Sequence, residues 1–223
     1  MKSKLEIACF DLESALIAQQ GGADRVELCH DVTGGGVTTS FGTAETARKL
    51  IHIQLNIMIR PRTGNYVYTN AEFEQIKKDI QLFSSLKIDG LVFGVLDENN
   101  KVDQKRNREL VQLAGALPCT FHRASDEMTN PLESLEDIIS CGYRTILTSG
   151  QKKTAIDGLD LIRQLNEKAA GRIAIMPGGG VRSSNVAELR SALGVEYYHS
   201  SAIRKGEIAN LEEVKRLRSI LNT

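Results

Sequence analysis

The sequence predicts an α/β fold of one class, a single (β/α)8 TIM barrel. Eight short apolar runs rich in β-branched residues alternate with eight amphipathic stretches, the pattern of parallel strands joined by crossover helices. Polar residues collect after the runs and not before them, as they do where eight strand ends converge on one face. A doubly wound open sheet would also alternate, but the chain shows neither a reversal of strand order nor a dinucleotide fingerprint.

The strand runs are 5–9, 25–29, 54–60, 90–95, 119–122, 145–148, 173–176 and 196–199. The helical stretches are 12–20, 43–51, 71–86, 104–114, 131–141, 154–169, 185–192 and 211–221. Asn130 before Pro131 reads as a capping side chain followed by proline in the first turn, while Gly142 and Gly171 read as C-terminal stops. Pro61, Pro118, Pro131 and Pro177 all sit where an element should begin or end. Without a proline-rich linker, a low-complexity tract or a like-charge block, residues 1–223 are expected to form one domain.

Twenty-eight basic residues balance 28 acidic ones, so no net field favours nucleic acid or an anionic membrane. Glu6 interrupts the N-terminal segment too early for the apolar core of a leader, and no later run approaches a membrane span; a cytoplasmic protein is expected. Cys9, Cys29, Cys119 and Cys141 form no CxxC pair and no zinc-finger spacing, which predicts reduced thiols.

The segments after the strands carry the chemistry. Alternation of side chains puts Arg25, Glu27 and Cys29 on one face of the second strand, Asn56, Met58 and Arg60 on one face of the third, and Thr120 with His122 on the fifth. Turned toward the axis, Glu27 and His122 would be an acid/base pair, with Arg60, Arg62 and Arg123 clamping an anion and Asp126 beside them. The same charges could instead form an internal salt-bridge network with no chemistry. Gly178-Gly179-Gly180 follows the seventh strand and His199-Ser200-Ser201 closes the eighth, the two places where barrels often hold phosphate; Thr148 and Ser149 could add hydroxyls. The triple glycine alone could equally serve a turn with positive φ, and Gly34-Gly35-Gly36 is read as shaping a mobile loop. Cys9 and Cys29 end neighbouring strands, and a thiolate pair with His30 nearby would suit Cu(I), although buried cysteines are more often inert. His52 reads as a surface residue.

Taken in order, these segments resemble the CutC family. They are Gly22-Ala-Asp-Arg-Val-Glu-Leu-Cys29, Gly35-Gly-Val-Thr38, Met58-Ile-Arg-Pro-Arg62, Phe93-Gly-Val-Leu96, Thr120-Phe-His-Arg123, Leu147-Thr-Ser-Gly150, Pro177-Gly-Gly-Gly180 and His199-Ser-Ser-Ala202. The resemblance implies a (β/α)8 barrel, a cytoplasmic copper-homeostasis role and self-association into a homodimer or larger homo-oligomer. The chain departs from the family pattern at Thr39, in place of proline, at Ser125, in place of phenylalanine, and in a shortened segment after Ala202.

Two functions follow. One is Cu(I) handling through Cys9, Cys29 and His30, with copper as ligand. The other is an enzyme acting on a small anionic or phosphorylated metabolite through Glu27, His122 and the arginines. A barrel without any ligand would leave the converging charges without a cause.

Overall fold

A computed structural model describes residues 3–223. Strands and helices alternate strictly: β1 (Lys4–Cys9), α1 (Leu12–Gln20), β2 (Arg25–Leu28), α2 (Phe41–Leu50), β3 (Gln54–Met58), α3 (Asn70–Ser84), β4 (Gly90–Phe93) and α4 (Gln104–Ala114) form the first half. The second half is β5 (Cys119–Phe121), a 3-10 turn (Arg123–Glu127), α5 (Pro131–Cys141), β6 (Thr145–Thr148), α6 (Leu159–Ala169), β7 (Ala174–Pro177), α7 (Val186–Leu193), β8 (Tyr197–Ser200) and α8 (Leu211–Asn222). All eight strands are parallel, in the order β7-β6-β5-β4-β3-β2-β1-β8. β7 and β8 lie next to each other and complete the ring, with no ladder between them among the described residues. The fold is a (β/α)8 barrel, as the alternation predicts.

Local chemistry sets the helix starts. The side chains of Asp11, Ser40, Thr69, Asp103 and Asn210 each accept a backbone N–H in the first turn of the helix that follows, and Thr69 with Glu72 makes a complete capping box. Asn130 makes no such bond; Pro131 with its fixed φ starts α5 without it. α6 starts at Leu159 and not at 154, because Gly158 lies against the 149–150 backbone, where a Cβ would come within 1.9 Å of the Ser149 carbonyl. That contact breaks the helical path that the apolar spacing suggests.

The pleat sorts the side chains. Leu5, Ile7 and Cys9 of β1 point away from the axis, together with Val26, Leu28, Leu55, Ile57, Phe93 and Phe121, and form one apolar layer under the helices. Removing that layer from water supplies most of the drive to fold, at roughly 25 cal/mol per Å². The alternate residues fill the barrel. On the β8-β1-β2 side a single ladder row brings His199, Glu6 and Arg25 side by side, since Glu6 is in register with both neighbours. On the β3–β5 side the interior is softer, with Met58, Val92 and Thr120 in successive register.

Candidate functional site

The strand ends open into a cavity of about 170 Å³. Glu27 reaches it from β2, His122 follows β5, and His199 rises from β8. Arg60, Arg123 and Arg182 also line it, as do the Gly179–Gly180 turn, Ser200, Ser201 and Cys29.

Below the opening, Glu6 is the anchor. It is completely buried; His199 Nδ1 lies 2.7 Å from its Oε1, and Arg25 Nε is hydrogen-bonded to its Oε2. The Arg25 guanidinium also stacks 4.1 Å from the centre of the Tyr197 ring. Burial would raise the Glu6 carboxyl, but Arg25 and the bond from His199 outweigh it and hold the group at about 2. His199 shows the complementary balance: burial would lower it, and the charges of Glu27 and Glu6 raise it instead. A carboxylate on Nδ1 fixes the ring orientation and leaves Nε2 pointing toward Glu27.

Glu27 sits 3.9 Å from that Nε2, too far for a hydrogen bond. Its Oε1 is buried and has no partner among the described residues, and burial lifts the carboxyl to about 7 against the pull of His199. Arg60 and Arg182 face no carboxylate within ion-pair distance among the described residues. Arg60 spends its terminal nitrogens on the carbonyls of Gly34, Gly36 and Gly64 and leaves a buried Nε without a partner among the described residues. Those bonds also tie down the glycine loop after β2. Arg182 donates to the hydroxyls of Ser200 and Ser201, and its partial burial depresses its basicity. A site with two uncompensated guanidiniums favours an anion.

Several residues expected in the site stand elsewhere. Asp126 accepts bonds from Arg123, Thr148, Ser149 and the Gln151 amide, and it stays behind the cavity wall as a brace for the 3-10 turn and the β6 loop. Thr148 and Ser149 are spent on that brace, and Gly178 packs against Leu147 and His199 beneath the lining. Arg62 is tied to Glu72 and to the carbonyls of Thr63, Asn65 and Val67, outside the cavity. His122 lines the cavity, but burial and the charge of Arg60 push its pKa down to about 3, so the imidazole is neutral at physiological pH. His199, not His122, is the histidine that Glu27 meets.

The copper set is not assembled. Cys9 is in register with Leu28 and faces the helices, whereas Cys29 faces the barrel mouth against Met58 and Val92. Each thiol donates to a backbone carbonyl, Cys9 to Ile7 and Cys29 to Cys9. Burial, with nearby carboxylates, keeps both pKa values well above that of a free thiol, which disfavours the thiolate that Cu(I) binds. His30 is exposed on the far side of the loop. Among the described residues the one cluster of three or more possible metal ligands is Glu6, Glu27 and His199. Arg25 already neutralises Glu6 there, so the cluster suits a proton better than a soft cation.

Glu6 and Arg182 are not among the site residues that the sequence suggests. The alternation along β1 signals Glu6, because a strand with Leu5, Ile7 and Cys9 on its outer face must turn Glu6 and Ala8 inward. No local signal marks Arg182, whose place depends on the approach of β7 to β8.

Fold and site together define a (β/α)8-barrel protein with a buried carboxylate–histidine centre under a cationic mouth. The CutC family profile matches residues 3–204, and the chain belongs to the CutC family. A family protein CutC of Xanthomonas axonopodis pv. citri is 45% identical over 205 residues, 92% of this chain and 85% of that protein. The human copper homeostasis protein cutC homolog is 40% identical over 198 residues, 89% of this chain and 72% of the human one. A crystal structure of CutC from Streptococcus agalactiae superposes with a TM-score of 0.85 at 32% identity, covering 89% of this chain and 98% of that one. Phosphoribosyl anthranilate isomerase of Thermotoga maritima shares the fold alone, at 14% identity and a TM-score of 0.67 over 98% of each chain.

Proposed function

We propose that this protein binds a small anionic metabolite in the barrel mouth and moves a proton on it through Glu27 and His199. The observation that carries the reading is Glu27: a buried carboxyl lining an open cavity, with one oxygen unpartnered among the described residues and a pKa of about 7. A group poised there gives and takes protons at neutral pH. Glu6 holds His199 in one orientation beside it, and Arg60 and Arg182, neither paired with a carboxylate among the described residues, supply the preference for negative charge. The Gly179–Gly180 turn and Ser201 add donors suited to a phosphate or carboxylate.

A thermal-shift screen of phosphorylated and carboxylated metabolites, run on wild type and on Arg182→Gln, tests the reading. A stabilising compound should lose at least tenfold in affinity in Arg182→Gln, and Glu27→Gln should bind it yet lose about 100-fold or more in turnover. Full turnover in Glu27→Gln, or no small anion that stabilises wild type, overturns it.

A second reading is a cytoplasmic role in copper homeostasis with Cu(I) as cargo, carried by a homo-oligomer; the name of the human relative supports its copper-homeostasis part alone. It requires Cys9 and Cys29 to reach one ion from opposite faces of the sheet, or Cys29 to act with other residues of the mouth. Anaerobic Cu(I) titration against a competing chelator, with the Cys9→Ser/Cys29→Ser double variant as control, decides it: tight binding lost in the variant supports copper handling.

A further inference from the structure

The second histidine of the mouth has a separate part. His122 stands at the start of the 3-10 turn, and its Nδ1 accepts the backbone N–H of Ala124 at 3.3 Å. A ring nitrogen that accepts carries no proton, so in the neutral imidazole the proton sits on Nε2. Nε2 is buried and has no partner among the described residues, while His122 lines the cavity. A buried donor left unpaired is costly, a cost that a ligand acceptor would remove.

The surroundings fix both the ring and its charge. Tyr66 packs at 4.7 Å between ring centres, and Phe121 lies edge-on at 6.2 Å. Gly94 has to lack a side chain, since a Cβ there would lie 3.1 Å from the imidazole and 2.9 Å from Phe121. The charged neighbour on this side is Arg60, stacked 4.8 Å from the Tyr66 ring, and no carboxylate lies within ion-pair distance of His122 among the described residues. An imidazole packed in this way, with a cation beside it, stays uncharged and donates from one nitrogen only.

We propose that His122 presents this fixed Nε2–H to a carbonyl oxygen of the ligand, and that the proton moved at Glu27 is the one on the carbon next to that carbonyl. The ligand class is therefore a small anion bearing a ketone or aldehyde. The Glu27 carboxylate takes the proton from the α carbon, the C–H electron pair becomes the C=C bond of an enolate, and the carbonyl π pair moves to the oxygen held by His122. Return of the proton to the α carbon completes an exchange or an epimerisation; where that carbon bears a hydroxyl the intermediate is an enediolate, and transfer of the hydroxyl proton to the former carbonyl oxygen with return of the carbon-bound proton to the former carbonyl carbon completes an isomerisation. A neutral donor suits this step because it stabilises the enolate oxygen without a full proton transfer.

The assignment rests on the proton-transfer reading for its chemistry, but the state of the ring can be measured apart from it. In ¹⁵N-labelled protein, long-range ¹H–¹⁵N correlation of the histidine rings, assigned with His122→Gln, should show Nε2 protonated and Nδ1 bare at every pH from 5 to 8. A proton on Nδ1, or titration of this ring in that range, overturns the proposal even if Glu27 proves to be a base. Acetohydroxamate, a planar mimic of an enediolate, is the binding probe. Wild type should bind it saturably; His122→Phe should lose at least tenfold, and His122→Gln, which restores an N–H donor, should recover part of the loss. Equal binding by wild type and His122→Phe, or no saturable binding by wild type, also overturns it. Loss of turnover in Glu27→Gln with the His122 signals unchanged would separate the base from the donor.

Discussion

Two histidines face one cavity from opposite sides, and their surroundings drive them apart. His199, on the β8-β1-β2 side, lies against Glu6 and within 3.9 Å of Glu27, and its pKa is raised. His122, beyond β5, lies against Tyr66 with Arg60 as its charged neighbour, and its pKa falls to about 3. Both are almost fully buried, so burial alone does not separate them. The carboxylates do: one wall of the mouth is built to hold a proton and the other to remain neutral. A histidine at a barrel strand end is therefore not an acid or base by position; the row behind it decides.

The most damaging way to break this contrast is to remove its anchor. Glu6→Leu leaves Arg25 and His199 buried without their shared counter-charge, and the loss of such a partner typically costs about 3–5 kcal/mol. Urea unfolding at pH 7 should show that loss. A change below about 1 kcal/mol would mean that Arg25 and His199 do not depend on Glu6.

The next effect is on the pH dependence of stability. Between pH 4.5 and 7 the unfolded chain gives up the Glu27 proton while the native protein keeps it, so this group lowers stability as pH rises across that window. Glu27→Gln keeps the shape and removes the titration. Relative to wild type it should gain about 3 kcal/mol between pH 4.5 and pH 7, read from urea midpoints at both values. A constant difference at the two pH values would place the Glu27 proton loss near that of a free glutamate.

Much of this contrast is written in the sequence, though unevenly. The eight alternating runs follow from β-branched clusters and apolar spacing, which are local, and α1, α4 and α5 run over the expected residues. The β3, β4 and β5 strands end at Met58, Phe93 and Phe121, short of the runs the sequence suggests; beyond them Arg60 and His122 turn to line the mouth, while Ile59 and Val95 stay in the outer apolar layer. Glu27, Arg60, His122 and His199 were legible by alternation and by their place after strands. Cys9 and Cys29 end neighbouring strands and so look paired, yet pairing needs one face as well as one edge, and the pleat of β1 puts Cys9 outside with Leu5 and Ile7. The protonation of the two histidines was not legible. It depends on Glu6 and Arg60, which the chain brings up from residues far away in sequence.

His122→Gln gives the smallest and sharpest test of the neutral wall. Below pH 6.5 the unfolded chain binds a proton at residue 122 that the native protein refuses down to about 3, so wild type loses stability at this group as pH falls. The variant should be destabilised at pH 8 by about 1 kcal/mol, for the lost bond to the Ala124 amide, and should regain about 2 kcal/mol on wild type by pH 5. His199→Gln should move the other way, because a raised pKa adds stability at low pH that is lost as pH rises through the native value. The Glu27 and His122 slopes oppose each other between pH 4.5 and 6.5, so each shows only in the difference between a variant and wild type. If both histidine variants drift in the same direction between pH 8 and pH 5, the two walls of the mouth do not hold their imidazoles in different charge states.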